Sequence, residues 1–401
     1  MIKKISVGDV RTGMYIHSLD CGWMTHPFLR KRFLVLDPAV VRQIVEAGIT
    51  EVDIDTEKGL DVAAVSAAAG AAVEPVPLAA AVASAKPGTT VDKEVREARK
   101  VHAEASRVVR SLLSDVRLGK QVSVEQAEPV VEKIADSILR NPGPILALCR
   151  IKTKDEYTFM HSVSVGALMM AFCRAAGMDE QTVREAGLGG LLHDIGKMTT
   201  PNEVLNKPGK LTNEEFDVMR NHVVASREIL EQTPGITPTA LNVAAQHHER
   251  YDGSGYPLKL KGEQISRIGQ MAAIVDVYDA ITSDRVYHKG MQAPVALKKI
   301  VEWARAHFNP DLVRVFISAI GIYPTGTLVM LESGRLAVVM DHDPATPHQP
   351  RIRVVYDTIR NAHLTPTDVD LARTTGHGGA DRILRHEPPG KWSIDPMSYL
   401  G

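Results

Sequence analysis

The period of the hydrophobic pattern changes along the chain, and each change predicts a different architecture. Over residues 1–60, β-like runs such as MYIHSL (14–19), RFLVLD (32–37) and TEVDIDT (50–56) surround a helical stretch, PAVVRQIVEAG (38–48), that Gly48 would stop. This predicts a small α+β module. Residues 61–91 are rich in alanine and proline and poor in charge, the composition of a linker. From 92 to 323, apolar positions recur at helical spacing in segment after segment, among them DKEVREARKVHAEASRVVRSLLSDV (92–116), YTFMHSVSVGALMMAFCRAAG (157–177) and SRIGQMAAIVDVYDAITSD (266–284). Thr212 and Glu215 have the spacing of a capping box and fix the start of another helix. Seven or more helices with no strand between them predict an all-α domain. After Tyr323, the runs GTLVMLESG, RLAVVMDHD and RIRVVYDT alternate at period two between Gly, Pro and Asp turns, which predicts a small β-rich extension over 324–401.

Composition narrows the class without naming a chemistry. The 401 residues are 44% hydrophobic and 24% charged, with a formal net charge of −1, as in an ordinary soluble multidomain protein. The charges are interleaved, so there is no broad basic field for a nucleic-acid polymer or an anionic membrane. No run of 18 apolar residues occurs, and MIKKISVGDVRTGMYI lacks the apolar core of a secretory signal. The cysteines, Cys21, Cys149 and Cys173, are odd in number, widely spaced and without a CxxC, which fits a reduced cytoplasmic protein better than a disulfide framework.

The candidate chemistry centres on GLLHDIGK (190–197). A His-Asp pair alone decides little, since one is expected about once by chance in such a chain. A second, His342-Asp343, precedes Pro344 and reads as a solvated turn. His193 and Asp194, however, have partners in the same helical region: His161, His222, His247, His248 and Asp276, nearly all in different predicted helices. Helix bundles build metal sites this way, and a metal would satisfy a carboxylate such as Asp276 that interrupts an apolar run. A lone helical histidine is more often structural, and His17, His26, His102, His307, His348, His363, His377 and His386 are read so. Five imidazoles and two carboxylates exceed what one metal needs. Two metals sharing Asp194 would use them all, a standard device for hydrolysing phosphate esters through an activated water. The ligand types suit iron or manganese, with zinc, cobalt and nickel also compatible. Lys197 lies three residues after Asp194 and, if the helix continues, shares its face, where an ammonium could hold phosphate oxygens. As a surface lysine it would only complement a helix dipole.

YTFMHSVSVG, LLHDIGKM, NEVLNKPGKLTNEEFDVMRNHV, HHERYDGSGYP and IVDVYDAITSDRVY, taken together and in this order, resemble the HD-GYP family. That family is a subgroup of the HD superfamily of metal-dependent phosphohydrolases. The resemblance spans about residues 150 to 320 and includes the Gly255-Tyr256-Pro257 for which the family is named. It implies hydrolysis of cyclic di-GMP to pGpG and on to GMP. It also implies that His161, His193, Asp194, His222, His247, His248 and Asp276 are metal ligands, that Lys197 contacts phosphate, that Arg285 holds the distal phosphate and that Asp279 is a functional acid. Tyr256 offers a stacking face for guanine, and GGDEF-domain proteins are implied partners of the loop that carries it. Residues 1–60 and the β extension are similar to modules that accompany such domains. Two positions depart from the family pattern. Tyr157 stands where some members have a glutamate supporting a third metal, which favours two metals and weakens the case for the second cleavage. His288 stands where Lys or Arg is common, with Lys289 beside it.

The competing readings are another HD-type phosphohydrolase acting on nucleotides or (p)ppGpp, and a catalytically weak cyclic di-GMP sensor or partner-binding module. The paired histidines and the Gly-Tyr-Pro loop favour the first reading, and the complete ligand set argues against decay to a sensor. A structural metal site would have fewer ligands and more thiols. The segment 92–113 leaves homodimerisation open, its periodicity being too short to require a coiled coil.

Overall fold

A computed structural model describes residues 2–11, 14–19, 33–35, 41, 45, 50–56, 58, 91–150, 157–284, 290–344, 346–373 and 381–400. The expected helix at 38–48 and the expected linker fall almost entirely outside these residues, as do Arg285 and His288. The chain divides into two compact units, Met1–Ala81 and Val82–Gly401.

In the first unit, β1 (Ile2–Ser6), β2 (Tyr15–Leu19), β3 (Phe33–Leu34) and β4 (Glu51–Asp55) form an antiparallel sheet in the order β1-β4-β2-β3. Alternation puts Val52 and Ile54 of β4 on one face, where they are buried with Ile16 and Val35. The three β-like runs of the N-terminal sequence are these last three strands.

The second unit is helical and then β. The helices that precede its strands are α1 (Val91–Arg117), α2 (Val124–Arg140), α3 (Pro142–Cys149), α4 (Tyr157–Ala175), α5 (Glu180–Leu192), α6 (Asn202–Leu205), α7 (Asn213–Arg220), α8 (His222–Glu231), α9 (Pro238–Gln246), α10 (Arg267–Thr282), α11 (Ala293–Trp303) and α12 (Pro310–Ile320). In α1 the buried Val95, Ala98, Ala105, Val109, Leu112 and Leu113 recur at helical spacing and make one apolar stripe. By contrast, α4 is buried on every side from His161 to Cys173, and α10 is buried almost throughout from Gly269 to Asp279. These two are the central helices of the bundle. None of the helices among the described residues is long and apolar enough to cross a membrane.

The helix whose start Thr212 and Glu215 mark is short, and a second follows it at once. The capping box forms as read, Glu215 N–H donating to Thr212 Oγ1 and Thr212 N–H to Glu215 Oε2, but the chain breaks at Asn221 and restarts at His222. Helices α3 and α12 are among those not anticipated. Each opens with Asn-Pro, a pair that reads as a turn; here Asn141 and Asn309 are N-caps, and Pro142 and Pro310 occupy the first helical turn.

Close helix approach explains the glycines before the His-Asp pair. A Cβ on Gly190 would lie 2.7 Å from the Gly166 Cα of α4, and one on Gly189 would lie 2.8 Å from the Ala240 Cα of α9. Consecutive glycines thus seat α5 against two neighbours at once, which brings the C-terminal end of α5 beside both.

The C-terminal strands β5 (Leu328–Leu331), β6 (Arg335–Asp341), β7 (Arg351–Asp357), β8 (Ala362–Asp370) and β9 (Ile383–His386) form an antiparallel sheet in the order β8-β7-β6-β5-β9. Leu328, Leu336 and Val338 pack with Val95 of α1 and Ala147 of α3, while Val329, Ala337 and Val339 face the other way into a second apolar layer. His342, expected as a solvated turn residue, is half-buried, with its Nε2 3.2 Å from the Ser318 carbonyl of α12. Asp343 is exposed, as a turn residue should be.

Gly190→Ala forces a methyl group onto the Gly166 backbone. It is expected to lower unfolding stability by about 1–3 kcal/mol, the usual cost of overpacking, whereas Gly390→Ala, at an exposed position with nothing within 4 Å of the added Cβ, should be close to neutral. Equal loss in both variants by urea titration contradicts the packing role of the glycine pair.

Candidate metal centre

The seven residues proposed as ligands converge in the core of the helical domain. His161 is in the first turns of α4 and Asp276 in α10, but the others lie at helix termini: His193 caps α5 and is followed by Asp194, His222 begins α8, and His247 caps α9 with His248 next. Five of the seven thus lie at or just past a helix end. The last turn of a helix leaves carbonyls without intrahelical partners, and three imidazoles use them. His193 Nδ1–H donates to Gly190 O at 2.7 Å, His222 Nδ1–H to Met219 O at 2.6 Å and His247 Nδ1–H to Ala244 O at 2.8 Å, in each case three residues back. His161 instead donates from Nδ1 to Asp279 Oδ2 at 2.6 Å. With the Nδ1 proton fixed in this way, a neutral ring presents Nε2 as a lone pair.

All four Nε2 atoms point at Asp194, whose side chain is 1% exposed. Its Oδ2 is 3.3 Å from His193 Nε2 and 3.5 Å from His161 Nε2; its Oδ1 is 3.3 Å from His222 Nε2 and 3.8 Å from His247 Nε2. Asp276 closes both sides, Oδ1 lying 3.2 Å from His161 Nε2 and Oδ2 3.5 Å from His248 Nδ1. Within the two halves, ring nitrogens face one another: His161 and His193 Nε2 are 3.2 Å apart, and His222 and His247 Nε2 3.4 Å. Asp194 Oδ1 is buried with no hydrogen-bond partner. Opposed lone pairs around an unsatisfied carboxylate are tolerable around cations and costly otherwise, so the donor set fits divalent metal. His161, His193 and Asp276 form one group whose ligand atoms lie within 4.8 Å, and His222, His247 and His248 form another.

Protonation is arranged for ligation. Burial opposes ionisation of Asp194 and Asp276, but His193 and Lys197 beside the first, and His161 and His248 beside the second, hold both carboxyls well below their usual range. Burial depresses His247 far below the ordinary imidazole value, helped by its histidine neighbours, and takes His248 down to about 3. These two rings are neutral near pH 7, as ligands must be. Burial also works against a charge on His161, yet Asp276 and Asp279 outweigh it and raise its pKa. A proton and a metal therefore compete for that ring.

Lys197 is near the carboxylate as expected but not through a continued helix. α5 ends at Leu192, and a 3₁₀ turn over Ile195–Thr199 carries the lysine, whose Nζ donates to Asp194 Oδ2 at 2.5 Å. Tyr256 lies against His248, ring centroids 4.7 Å apart and planes at 33°.

Comparison with known proteins agrees with this geometry. Residues 148–312 match the family described as HD domain, residues 2–127 a domain of unknown function (DUF3391), and residues 328–376 a KOW domain associated with HD domain. A relative from Pseudomonas aeruginosa, named cyclic di-GMP phosphodiesterase PA4108, is 42% identical over 401 residues, which is 100% of this chain and 95% of that protein. The chain belongs to the HD-GYP family. It is thus a metal-dependent hydrolase of the HD type. Two other relatives match less of the chain. A cyclic di-GMP phosphodiesterase of Thermotoga maritima is 36% identical over 165 residues, 41% of this chain and 45% of its own. A 3'3'-cGAMP-specific phosphodiesterase of Vibrio cholerae is 38% identical over 141 residues, 35% of this chain and 32% of its own.

Three features of this HD-GYP domain escaped the sequence reading. Glu249, within HHERYDGSGYP, is fully buried, and its carboxylate accepts the N–H groups of Leu258 at 2.8 Å and Leu260 at 3.0 Å, tying the exit of the Gly-Tyr-Pro loop to the histidine pair. Gly255 passes so close to that turn that a Cβ would lie 2.3 Å from Arg250 N. Arg117, at the end of α1, donates to Met198 O at 2.6 Å and Thr200 O at 2.7 Å, clamping the segment just after Lys197. An acid beside paired histidines was a readable signal for Glu249. Nothing in the sequence marked Arg117, whose acceptors lie more than eighty residues away.

Arg117→Gln should leave metal content unchanged and lower kcat more than it raises KM, because it loosens the Lys197 segment without touching a ligand. A parallel loss of metal would show that Arg117 supports the fold of the site instead. Chelation should lower the unfolding midpoint and readdition restore it, since a metal at 100 times its Kd adds about 2.7 kcal/mol; calorimetry with and without chelator measures this.

Proposed function

We propose that this chain hydrolyses a phosphodiester bond of cyclic di-GMP to give pGpG, using two divalent metals held by His161, His193, Asp194, His222, His247, His248 and Asp276. The observation that carries the reading is the division of Asp194: one carboxylate oxygen faces His161 and His193, the other His222 and His247. A carboxylate placed between two imidazole sets is what a bridging ligand requires. The substrate follows from the full-length relative, which is named for cyclic di-GMP. Imidazole with carboxylate ligation favours iron or manganese.

Divalent metals held by these seven residues would supply an activated water and stabilise charge that develops on the phosphate. The remaining work falls to the chain. Asp279 fixes the tautomer and orientation of His161, as an acceptor behind a ligand does; its role in this reading is positioning. The Lys197 ammonium is 23% exposed beside Asp194, within reach of a non-bridging phosphate oxygen. Tyr256 supplies an aromatic face against which a guanine can stack. Arg285 and His288 are proposed, on the family resemblance, to hold the distal phosphate. The same resemblance extends the proposal to GGDEF-domain partners at the Gly255–Pro257 loop; a homodimer through the 92–113 segment is the further partner proposed.

Protein purified anaerobically and loaded with iron or manganese is expected to convert cyclic di-GMP to pGpG, and Asp194→Ala to be inactive. Lys197→Ala should lower kcat about 10²–10³-fold, the usual cost of one transition-state donor. Appearance of GMP would show that the second cleavage proceeds with Tyr157 in place of a carboxylate. Metal-loaded wild type that binds the nucleotide without turnover overturns the enzymatic reading in favour of a sensor.

A further inference from the structure

We propose that Arg220 reads the edge of a guanine base at the mouth of the metal centre and so sets the preference of this chain among cyclic dinucleotides. This rests on the cyclic dinucleotide reading above. From the metal centre outward, three aromatic rings and one guanidinium are in contact. Tyr256 lies against His248; the Arg220 guanidinium carbon lies 5.1 Å from the Tyr256 ring centroid and 4.5 Å from that of Phe216. Phe216 and Arg220 are four residues apart on α7 and so share a face. Phe216 is 43% exposed, an apolar surface the packing of the domain does not use.

Two aromatic faces hold the guanidinium while leaving its polar edge open. Among the described residues its one ion-pair partner is Asp217, with Nη1–Oδ1 at 3.5 Å, and its side chain is 46% exposed. A planar fork of N–H donors held in this way matches two adjacent acceptors. Guanine presents O6 and N7 as such a pair; adenine presents N7 beside the N6 amino donor and repels one arm of the fork. A phosphate also offers paired acceptors. The guanine edge is the better match because Tyr256, the ring that Arg220 touches, is the face on which a base would stack, and a base there puts its edge beside Arg220. Lys197 and the metals already serve the scissile phosphate.

The test is equilibrium binding and steady-state kinetics of metal-loaded wild type, Arg220→Ala and Arg220→Lys with cyclic di-GMP, 3'3'-cGAMP and cyclic di-AMP. Metal content and unfolding midpoint serve as the controls for folding. Arg220→Ala should weaken cyclic di-GMP binding about 10–100-fold, the range of one base-edge pair. KM should rise in proportion with kcat much less affected, and cyclic di-AMP binding should change little. Arg220→Lys should recover part of the guanine preference. Equal weakening for all three dinucleotides overturns the proposal and assigns Arg220 to phosphate. Unchanged binding, or lost metal, overturns it as well. Wild type that binds none of the three shows instead that the cyclic dinucleotide reading has failed, and this inference with it.

Discussion

Asp194 is a carboxylate with almost no access to water among five imidazoles, and the rest of the helical domain is organised around the cost of keeping it there. An ionised carboxylate in such a place must be paired. Lys197 pairs one oxygen from outside the cluster; the other has no hydrogen-bond partner. The neighbouring imidazoles present lone pairs, because their protons are spent on carbonyls and on Asp279. The arrangement is complete only with cations between the rings and the carboxylates. Metal binding and the stability of the bundle interior are therefore linked, and the glycine seam of α5 is the packing device that lets His161 and His193 approach closely enough for the link to exist.

How much of this was legible in the sequence depended on burial. The helix pattern stood out wherever one face was apolar, as in α1, and the central helices α4 and α10 stood out as long apolar runs. Helices α3 and α12 were hidden by the Asn-Pro pairs that begin them, since the same residues that end a helix by geometry can start one by capping. In the β extension the three central strands were read and the two edges were not. β8 carries Pro366 and is largely exposed, and β9 has four residues, so neither shows the alternation of a half-buried strand. Pro366 is tolerated because an edge strand has N–H groups that no ladder needs.

At the site, residue types and order were enough to pick out the seven residues that cluster, and the resemblance implied roles for them. Spacing did not show which atom of each ring would be free. Nor did it show that Lys197 reaches Asp194 through a 3₁₀ turn or that α1 clamps the segment behind it. Those depend on backbone carbonyls brought near by the fold, and a carbonyl leaves no mark in a sequence.

The contrast between His161 and the other anchored histidines gives this distinction a physical rule. His193, His222 and His247 each lie at or just past a helix end, where the carbonyl three residues back is free to accept an imidazole proton. Within a helix that carbonyl is already used by the i to i−4 ladder. His161 is followed by unbroken helix and packed on every side, and its ring turns away from its own backbone toward α10. A side-chain acceptor has to be supplied there, and Asp279 supplies it. Because Asp279 follows Asp276 by three residues, a single helical face of α10 gives both the carboxylate that faces the ligand atoms and the one that orients His161. The second carboxylate is itself only 4% exposed, so its retention needs a reason. Orienting a histidine that has no free carbonyl of its own is a sufficient one.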